Sequence, residues 1–528
     1  MLNDPLYIKS DEQSLIPAHC HFGKHMLNNL RKHSGSDKIA LIETETGQKL
    51  TYKELTQYAV DLAYALCDQG VRKGDVVALG SERRNEFLPT LLAVIMAGAT
   101  FTSVDYDGGL DIILPRLNQI KPKYFIFSEL FWNKYGDAIK SLNSVETWIT
   151  LDDGPDSAIS VARLMATTVD VQLFEPAPVN GQSDVAISFY SSGTTGTSKI
   201  ISHTHVTLLQ HVQKDGLMED NFKVLYCDSE WYHSYDSIFA LAVLRWGRTL
   251  VHHPYVTPDT LKYHLQHYKV NLMVTVPAVL NVLSQVDEDD AFESLQAVLC
   301  AGSSLNGNLL ELLMKRNPKV QFLQGYGMSE ADFITCETRK PGASKRGSIG
   351  KPVPNVTLKI VDPESRRLLG PNQPGEMWLR SPGLMKGYLN VSDPILDAEG
   401  FFNTGDIGYY DDDHYFFYKS RAKDSLNYDS FEVAVVDIEE VLLRHAGVRE
   451  ACVVGTPDPV LGDLPTAFVV TEPGADVSEE ELVKYVEDKV AHYMELRGGV
   501  RFVEELPRNR LGKVLRRTLK EILAKEQQ

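Results

Sequence analysis

The run FYSSGTTGTSKIISHTH, residues 189–205, gathers hydroxyl side chains around two glycines. Ser191, Ser192, Thr194, Thr195 and Thr197 surround Gly193 and Gly196, and Lys199 follows three positions later. A Walker A loop places its Lys directly after the second Gly, so this is a different phosphate cradle. Side-chain O–H and backbone N–H groups together would wrap a polyphosphate, with Lys199 adding a point charge. Five further stretches have the same polar character. LQGYGMSEAD sets Gln324, Gly325, Tyr326, Gly327 and Met328 before Ser329 and Glu330. AGSS places Ala301, Gly302 and Ser303 behind an apolar strand, where ligands bind in α/β sheets. FFNTGDIGYY puts Asp406 behind a Thr-Gly turn, and SRAKDS carries Arg421 and Lys423. Near the chain end, PRNRLGKVLRR sets Lys513 after a Gly. Each is weak alone, since Gly-Tyr-Gly and Gly-Asp are ordinary turns and a Lys among Arg residues is an ordinary solvated helix start. Their order along one chain carries the information.

The elements that must position these residues read as α/β layers. Tyr52, Leu55, Ala59, Leu62, Ala63 and Leu66 recur at helical spacing, and DVVALG follows as a buried strand. FLPTLLAVIMAGATF, residues 87–101, reads as a buried helix running into a strand and falls short of the ~20 residues a membrane span needs. PKYFIFS, VNLMVTVP and LQAVLCAG are further short apolar strands between helices, the pattern of mostly parallel sheets. After about residue 350 the texture turns to strand and turn, with a hairpin turn expected at Asp411–Asp413. A capping box is expected at Ser478 and Glu481. The expected division is a large N-terminal region, residues 1–422, of α/β subdomains plus a β-rich subdomain, and a small C-terminal α+β unit, residues 423–528.

The chain has 528 residues and a net charge of −18, which argues against non-specific nucleic-acid binding. Its six cysteines are scattered without a C-x-x-C pair, so neither a disulfide scaffold nor a zinc site is expected. The first residues lack a secretory pattern and AKEQQ is not a peroxisomal S-K-L address, so the expected location is cytoplasmic. The sequence sets no oligomeric state.

From about residue 40 to 525 the chain resembles the acyl-adenylate-forming enzymes, a group of acyl-CoA synthetases, plant coumarate-CoA ligases, peptide-synthetase adenylation domains and insect luciferases. SSGTTGTSK is similar to their phosphate loop, QGYGMSE to their adenine and magnesium motif, and TGD and SRAKD to their ribose and hinge motifs. LRGGVRFVEELPRNRLGKVLRR resembles the C-terminal end of insect luciferases and their CoA-ligase relatives. The resemblance implies that a carboxylic acid attacks the α-phosphorus of Mg-ATP, giving an acyl-adenylate and pyrophosphate. Coenzyme A then captures the adenylate, or O2 oxidises it with light in a luciferase. It implies that Ser191–Thr197 and Lys199 hold phosphates and that Ala301, Gly302, Ser303 and Gln324–Gly327 line the nucleotide. Tyr326 would stack on adenine, Ser329 contact the α-phosphate, Glu330 hold Mg2+, and Asp406 and Arg421 meet the ribose. Lys513 would steady the transferring oxygens from a mobile lid hinged at Lys423. His233, Ser234 and Tyr235, with Gly302, Gly327 and Met328, would line the acid's pocket. The chain departs from the family at Asn427, Asp429 and Ser430 after the hinge, at Ser234–Asp236 in the pocket segment, and at Leu511 before Gly-Lys. The bulkier, more polar pocket segment at Ser234–Asp236 favours an aromatic or polar acid. The departures keep open a luciferase with a luciferin unlike that of beetles, and a catalytically retired ATP- or acyl-binding protein.

Overall fold

The computed structural model describes residues 5–526 apart from 11, 13–15, 18, 191–198, 214–220, 229, 254–255, 287–291, 303–304, 306, 341, 343, 392–393, 423–425, 429–430, 434, 459–460 and 509–513. Two large sheets dominate. In the first, strands Val76–Gly80, Thr100–Ser103, Tyr124–Phe127, Thr147–Thr150 and Val185–Tyr190 run parallel. Ile200–Thr204 pairs antiparallel with Val185–Tyr190, and Gly387–Tyr388 adds to its outer edge. The second sheet runs Ile39–Glu43, Thr249–His252, Val224–Cys227, Leu272–Thr275, Ala297–Cys300 and Gln321–Met328 in spatial order, all parallel. The strand Asp332–Cys336 folds back antiparallel on Gln321–Met328.

The periodicity expected from sequence is present. Tyr52–Asp68 is a helix whose capping box joins Thr51 and Glu54. Phe87–Met96 is a helix with every residue buried, as an all-apolar helix must be in a core. These helices, with Phe22–His33 and Ser234–Arg245, share one core with both sheets. Beyond residue 350 a five-stranded antiparallel sheet forms from Ile8–Lys9, Thr357–Val361, Gly375–Arg380, Phe402–Tyr410 and Phe416–Arg421. Residues 411–415 make the expected hairpin turn, with Lys345 paired to Asp411 and Asp413. From Leu426 onward a separate sheet and core form, built on the hairpin Val448–Asp458 and Gly462–Thr471.

Three local expectations change. Gln324–Met328 is strand rather than a Gly-Tyr-Gly turn, and its glycines serve close packing instead of reversal. A Cβ at 325 would lie 2.5 Å from the Phe333 ring, and one at 327 would lie 2.4 Å from the Asp332 carbonyl oxygen. Thr404–Asp406 is also strand, bulged opposite Met377. Gly405 takes φ 72° there, while the Asp406 N–H donates to Thr404 Oγ1. At 478 only half the capping box forms: Ser478 accepts from the Glu481 N–H, and the Glu481 carboxylate lies 3.3 Å from His445.

Candidate active site

Of the polar stretches singled out in the sequence, the described parts around Tyr326–Glu330, Asp406, Arg421 and Lys199 come together where the two large sheets meet the antiparallel sheet. Tyr326 lies in the last turn-proximal part of its strand, at the C-terminal end of the parallel run. Its phenol donates to Asp406 Oδ2 at 2.5 Å, joining the second large sheet to the antiparallel one. Burial, followed by the Asp406 carboxylate, pushes the Tyr326 phenol well up, so it remains a donor. Asp406 is 2% exposed, and its direct cross-strand partner is Arg421. Arg421 Nε lies 2.9 Å from Asp406 Oδ1, an ion pair whose guanidinium is one-third exposed. A buried carboxylate held between a phenol and a guanidinium, beside an aromatic face, is suited to a diol next to a flat heterocycle.

The turn Ser329–Ala331 links Gln321–Met328 to Asp332–Cys336, and Glu330 sits in it at 9% exposure. The Tyr388 phenol donates to Glu330 Oε1 at 2.7 Å. Burial and Glu330 push that phenol up as well. The Lys199 ammonium stands 4.6 Å from the Tyr388 ring centroid. Lys199 begins beside the strand that leaves the hydroxyl-rich loop, whose flanking strands pair Tyr190 with Ile200. Glu330 is a hard oxygen donor, and among the described residues no cluster of three or more His, Cys, Asp or Glu stands ready to cage a metal. One buried carboxylate fits Mg2+, which takes one or two carboxylates and completes its shell with phosphates and water.

Ala301 follows Ala297–Cys300, buried, and Gly302 takes φ 92°, a conformation that favours glycine. Gln324 is fixed at its backbone: its N–H donates to Glu337 Oε2 and its carbonyl accepts from the Glu337 N–H. His233 is the N-cap of helix Ser234–Arg245. Burial, then Arg116, lowers His233 to about 4, so it is neutral near pH 7. Ser234 is buried, and the Tyr235 ring stands 5.4 Å edge-on to Phe333, behind Gly325. The buried Tyr235 hydroxyl has no hydrogen-bond partner among the described residues. Thus Tyr326, Met328, Ser329, Glu330, Asp406, Arg421 and Lys199 are brought together, and Tyr235 reaches the neighbouring strand at Phe333, with His233 and Ser234 at the start of its helix. Ser191–Thr197, Ser303, Lys423 and Lys513 lie outside the described residues.

Sequence reading passed over Tyr388 and His203. Tyr388 sits in MKGYLN, a stretch with no chemical signature, and His203 is one of four consecutive polar residues in ISHTH. His203 Nε2 lies 2.8 Å from the Ser329 carbonyl oxygen. Burial lowers His203 to about 4. Among the described residues no helix is long and apolar enough to cross a membrane.

Comparison with known proteins places these features in context. The AMP-binding enzyme family matches residues 29–389, and the AMP-binding enzyme C-terminal domain matches residues 437–513. The chain is 32% identical over 500 residues to the peroxisomal OPC-8:0-CoA ligase 1 of Arabidopsis thaliana, covering 91% of this chain and 90% of that one. It is 29% identical to the luciferin 4-monooxygenase of Nipponoluciola cruciata, covering 95% and 94% of the two chains. Among solved structures, ATP-bound MatB from Rhodopseudomonas palustris superposes with a TM-score of 0.86 at 25% identity, covering 95% of this chain and 98% of that one.

Proposed function

The chain belongs to the AMP-binding enzyme family, and from that premise we propose that it activates a carboxylic acid with ATP, releasing pyrophosphate, and passes the acyl group to coenzyme A. The observation behind this reading is the meeting of Tyr326, Asp406 and Arg421 beside Glu330 and the phosphate-loop strands. Both reactants are anions, so the reaction needs donors and positive charge where charge builds. Tyr326 stacks on adenine while its phenol stays engaged with Asp406. Asp406 accepts from the ribose hydroxyls, and Arg421 holds that carboxylate ionised and oriented. Ser329 meets the α-phosphate. Lys199 and the Ser191–Thr197 loop hold the β- and γ-phosphates, using reversible hydroxyl contacts that let pyrophosphate leave. Glu330 holds Mg2+, which would neutralise phosphate oxygens and raise the electrophilicity of phosphorus. Lys513, from the C-terminal unit, steadies the carboxylate and α-phosphate oxygens as they come together.

The acid lies against His233, Ser234 and Tyr235, with Gly302, Gly327 and Met328 completing its pocket. A buried phenol without a partner favours a substrate that offers it one, since a buried donor left unmade costs ~1–3 kcal/mol. This supports an aromatic or polar acid over a plain fatty chain. The separate core beyond Leu426 supports a lid that turns at Lys423 between the two steps. The reading of the second step is supported by the CoA-ligase relatives.

Incubation with ATP, Mg2+, coenzyme A and a mixed acid library, followed by mass spectrometry, tests it. Acyl-CoA and AMP in equal amounts are expected. ADP as the product would contradict adenylation, and light without acyl-CoA would replace coenzyme A with O2 as the second reactant.

A further inference from the structure

The turn that carries Glu330 is gripped by the edge of the first large sheet. The Ser329 and Glu330 carbonyls and the Glu330 carboxylate are all engaged there. The Ser329 carbonyl accepts from His203 Nε2 at 2.8 Å. A carbonyl only accepts, so the proton sits on Nε2, and His203 Nδ1 is left without a hydrogen-bond partner among the described residues. The His211 ring meets His203 edge-on at 5.1 Å and fixes its plane. The Glu330 carbonyl accepts from the Met385 N–H at 2.7 Å, and its carboxylate from the Tyr388 phenol at 2.7 Å.

These donors belong to one object. His203 lies in Ile200–Thr204, and Tyr388 in the strand that pairs with it, with Ile201 opposite Tyr388 and Ser202 opposite Gly387. The Lys386 N–H donates to the Ser202 carbonyl and the Leu389 N–H to the Ile200 carbonyl, locking the register on both sides. The same ribbon begins at Lys199, directly after the hydroxyl-rich loop, and the Lys199 ammonium faces the Tyr388 ring. The two groups expected to share one Mg-ATP are therefore joined through a single two-stranded ribbon.

We propose that His203 and Tyr388 are positioning residues, and that the ribbon they sit on sets the Glu330 carboxylate relative to Lys199. The proposal rests on the reading of Glu330 as the magnesium ligand and goes beyond it. The ribbon acts on binding of the metal–nucleotide complex and leaves binding of metal-free nucleotide alone. Partners that orient a ligating carboxylate are worth ~10–100-fold in metal affinity.

The test uses the full chain and α,β-methylene-ATP. Its Mn2+ complex is titrated by electron paramagnetic resonance, and the metal-free nucleotide by calorimetry in chelator. Tyr388→Phe removes one hydroxyl and keeps the ring over which Lys199 lies. His203→Ala removes the donor to Ser329, and His203→Gln returns an N–H. Tyr388→Phe and His203→Ala are expected to weaken the Mn2+ complex ~10-fold or more with metal-free binding unchanged, and His203→Gln to recover most of the loss. Equal weakening of both forms, or no change in either, overturns the proposal, whatever happens to the melting temperature. A wild-type chain that binds the Mn2+ complex no better than the metal-free nucleotide overturns the reading of Glu330, and the proposal with it. Should His203→Ala fail to fold, Tyr388→Phe alone decides between these outcomes.

Discussion

Asp406→Asn isolates the proposed ribose contact with little change in volume. In the native site one carboxylate oxygen takes the Tyr326 phenol at 2.5 Å and the other faces Arg421 Nε at 2.9 Å. An amide keeps one acceptor and turns a donor toward the second partner. Loss of the ion pair is discounted because Arg421 is one-third exposed, and is worth ~1 kcal/mol. A further ~1 kcal/mol goes with the weaker acceptor for Tyr326. The effect on ATP is separate from this. Two ribose hydroxyls would each exchange a charged acceptor for a neutral or mismatched one, at ~1 kcal/mol apiece, which makes ATP binding ~30-fold weaker. Calorimetric titration of Mg-ATP into variant and wild type reads this directly. The KM for ATP should rise in parallel while the KM for the acid stays put. An ATP affinity within twofold of wild type, together with a lower melting temperature, would refute the role: Asp406 would then be a structural partner of Arg421 and nothing more.

Lys513→Ala should lower adenylation by orders of magnitude and leave ATP affinity nearly intact, because its contact strengthens in the transition state; parallel loss of both in binding and rate assays would contradict that. Gly327→Ala should lower stability by ~1–3 kcal/mol in urea melts, since the added carbon meets the Asp332 carbonyl at 2.4 Å within a closed hairpin. Burial holds His203 and His233 down to about 4, whereas an unfolded chain protonates them near 6.5. Their contribution is therefore present above pH 6.5 and is lost as pH falls toward 4, by ~2 kcal/mol each at pH 5. Urea midpoints at pH 7.5 and 5 should show this fall, and it should be smaller in His203→Gln; an unchanged pH dependence in that variant would count against a neutral buried His203. Tyr235→Phe should raise the KM of a polar aromatic acid several-fold and spare that of an apolar one, read in steady-state kinetics.

Much of this was legible in the chain because apolar periodicity is local. Tyr52–Asp68 follows from helical spacing, Phe87–Met96 from an unbroken apolar run, and the parallel sheets from short apolar strands set between helices. What escaped is non-local. Gly325, Gly327 and Gly405 read as turn residues, yet they lie in strands, where the missing Cβ admits Phe333, the Asp332 carbonyl and a bulge. Glu481 has the spacing of a capping box, but its carboxylate faces His445, which a pattern over four residues cannot register. Tyr388 and His203 gain their meaning only when Gly387–Tyr388 pairs with Ile200–Thr204 across some 185 residues of chain, so that both donors reach the turn at Ser329 and Glu330.

The central claim is that the chain makes an acyl-adenylate. Carboxylate-dependent exchange of labelled pyrophosphate into ATP, run without coenzyme A over fatty, aromatic and heterocyclic acids, tests it most directly because exchange reports only the first step. The account predicts exchange with at least one acid, strongest among aromatic or polar ones, and its collapse in Lys513→Ala. Tight Mg-ATP binding with no exchange from any acid would contradict it, and would mark the chain as a nucleotide-binding protein that has lost its chemistry.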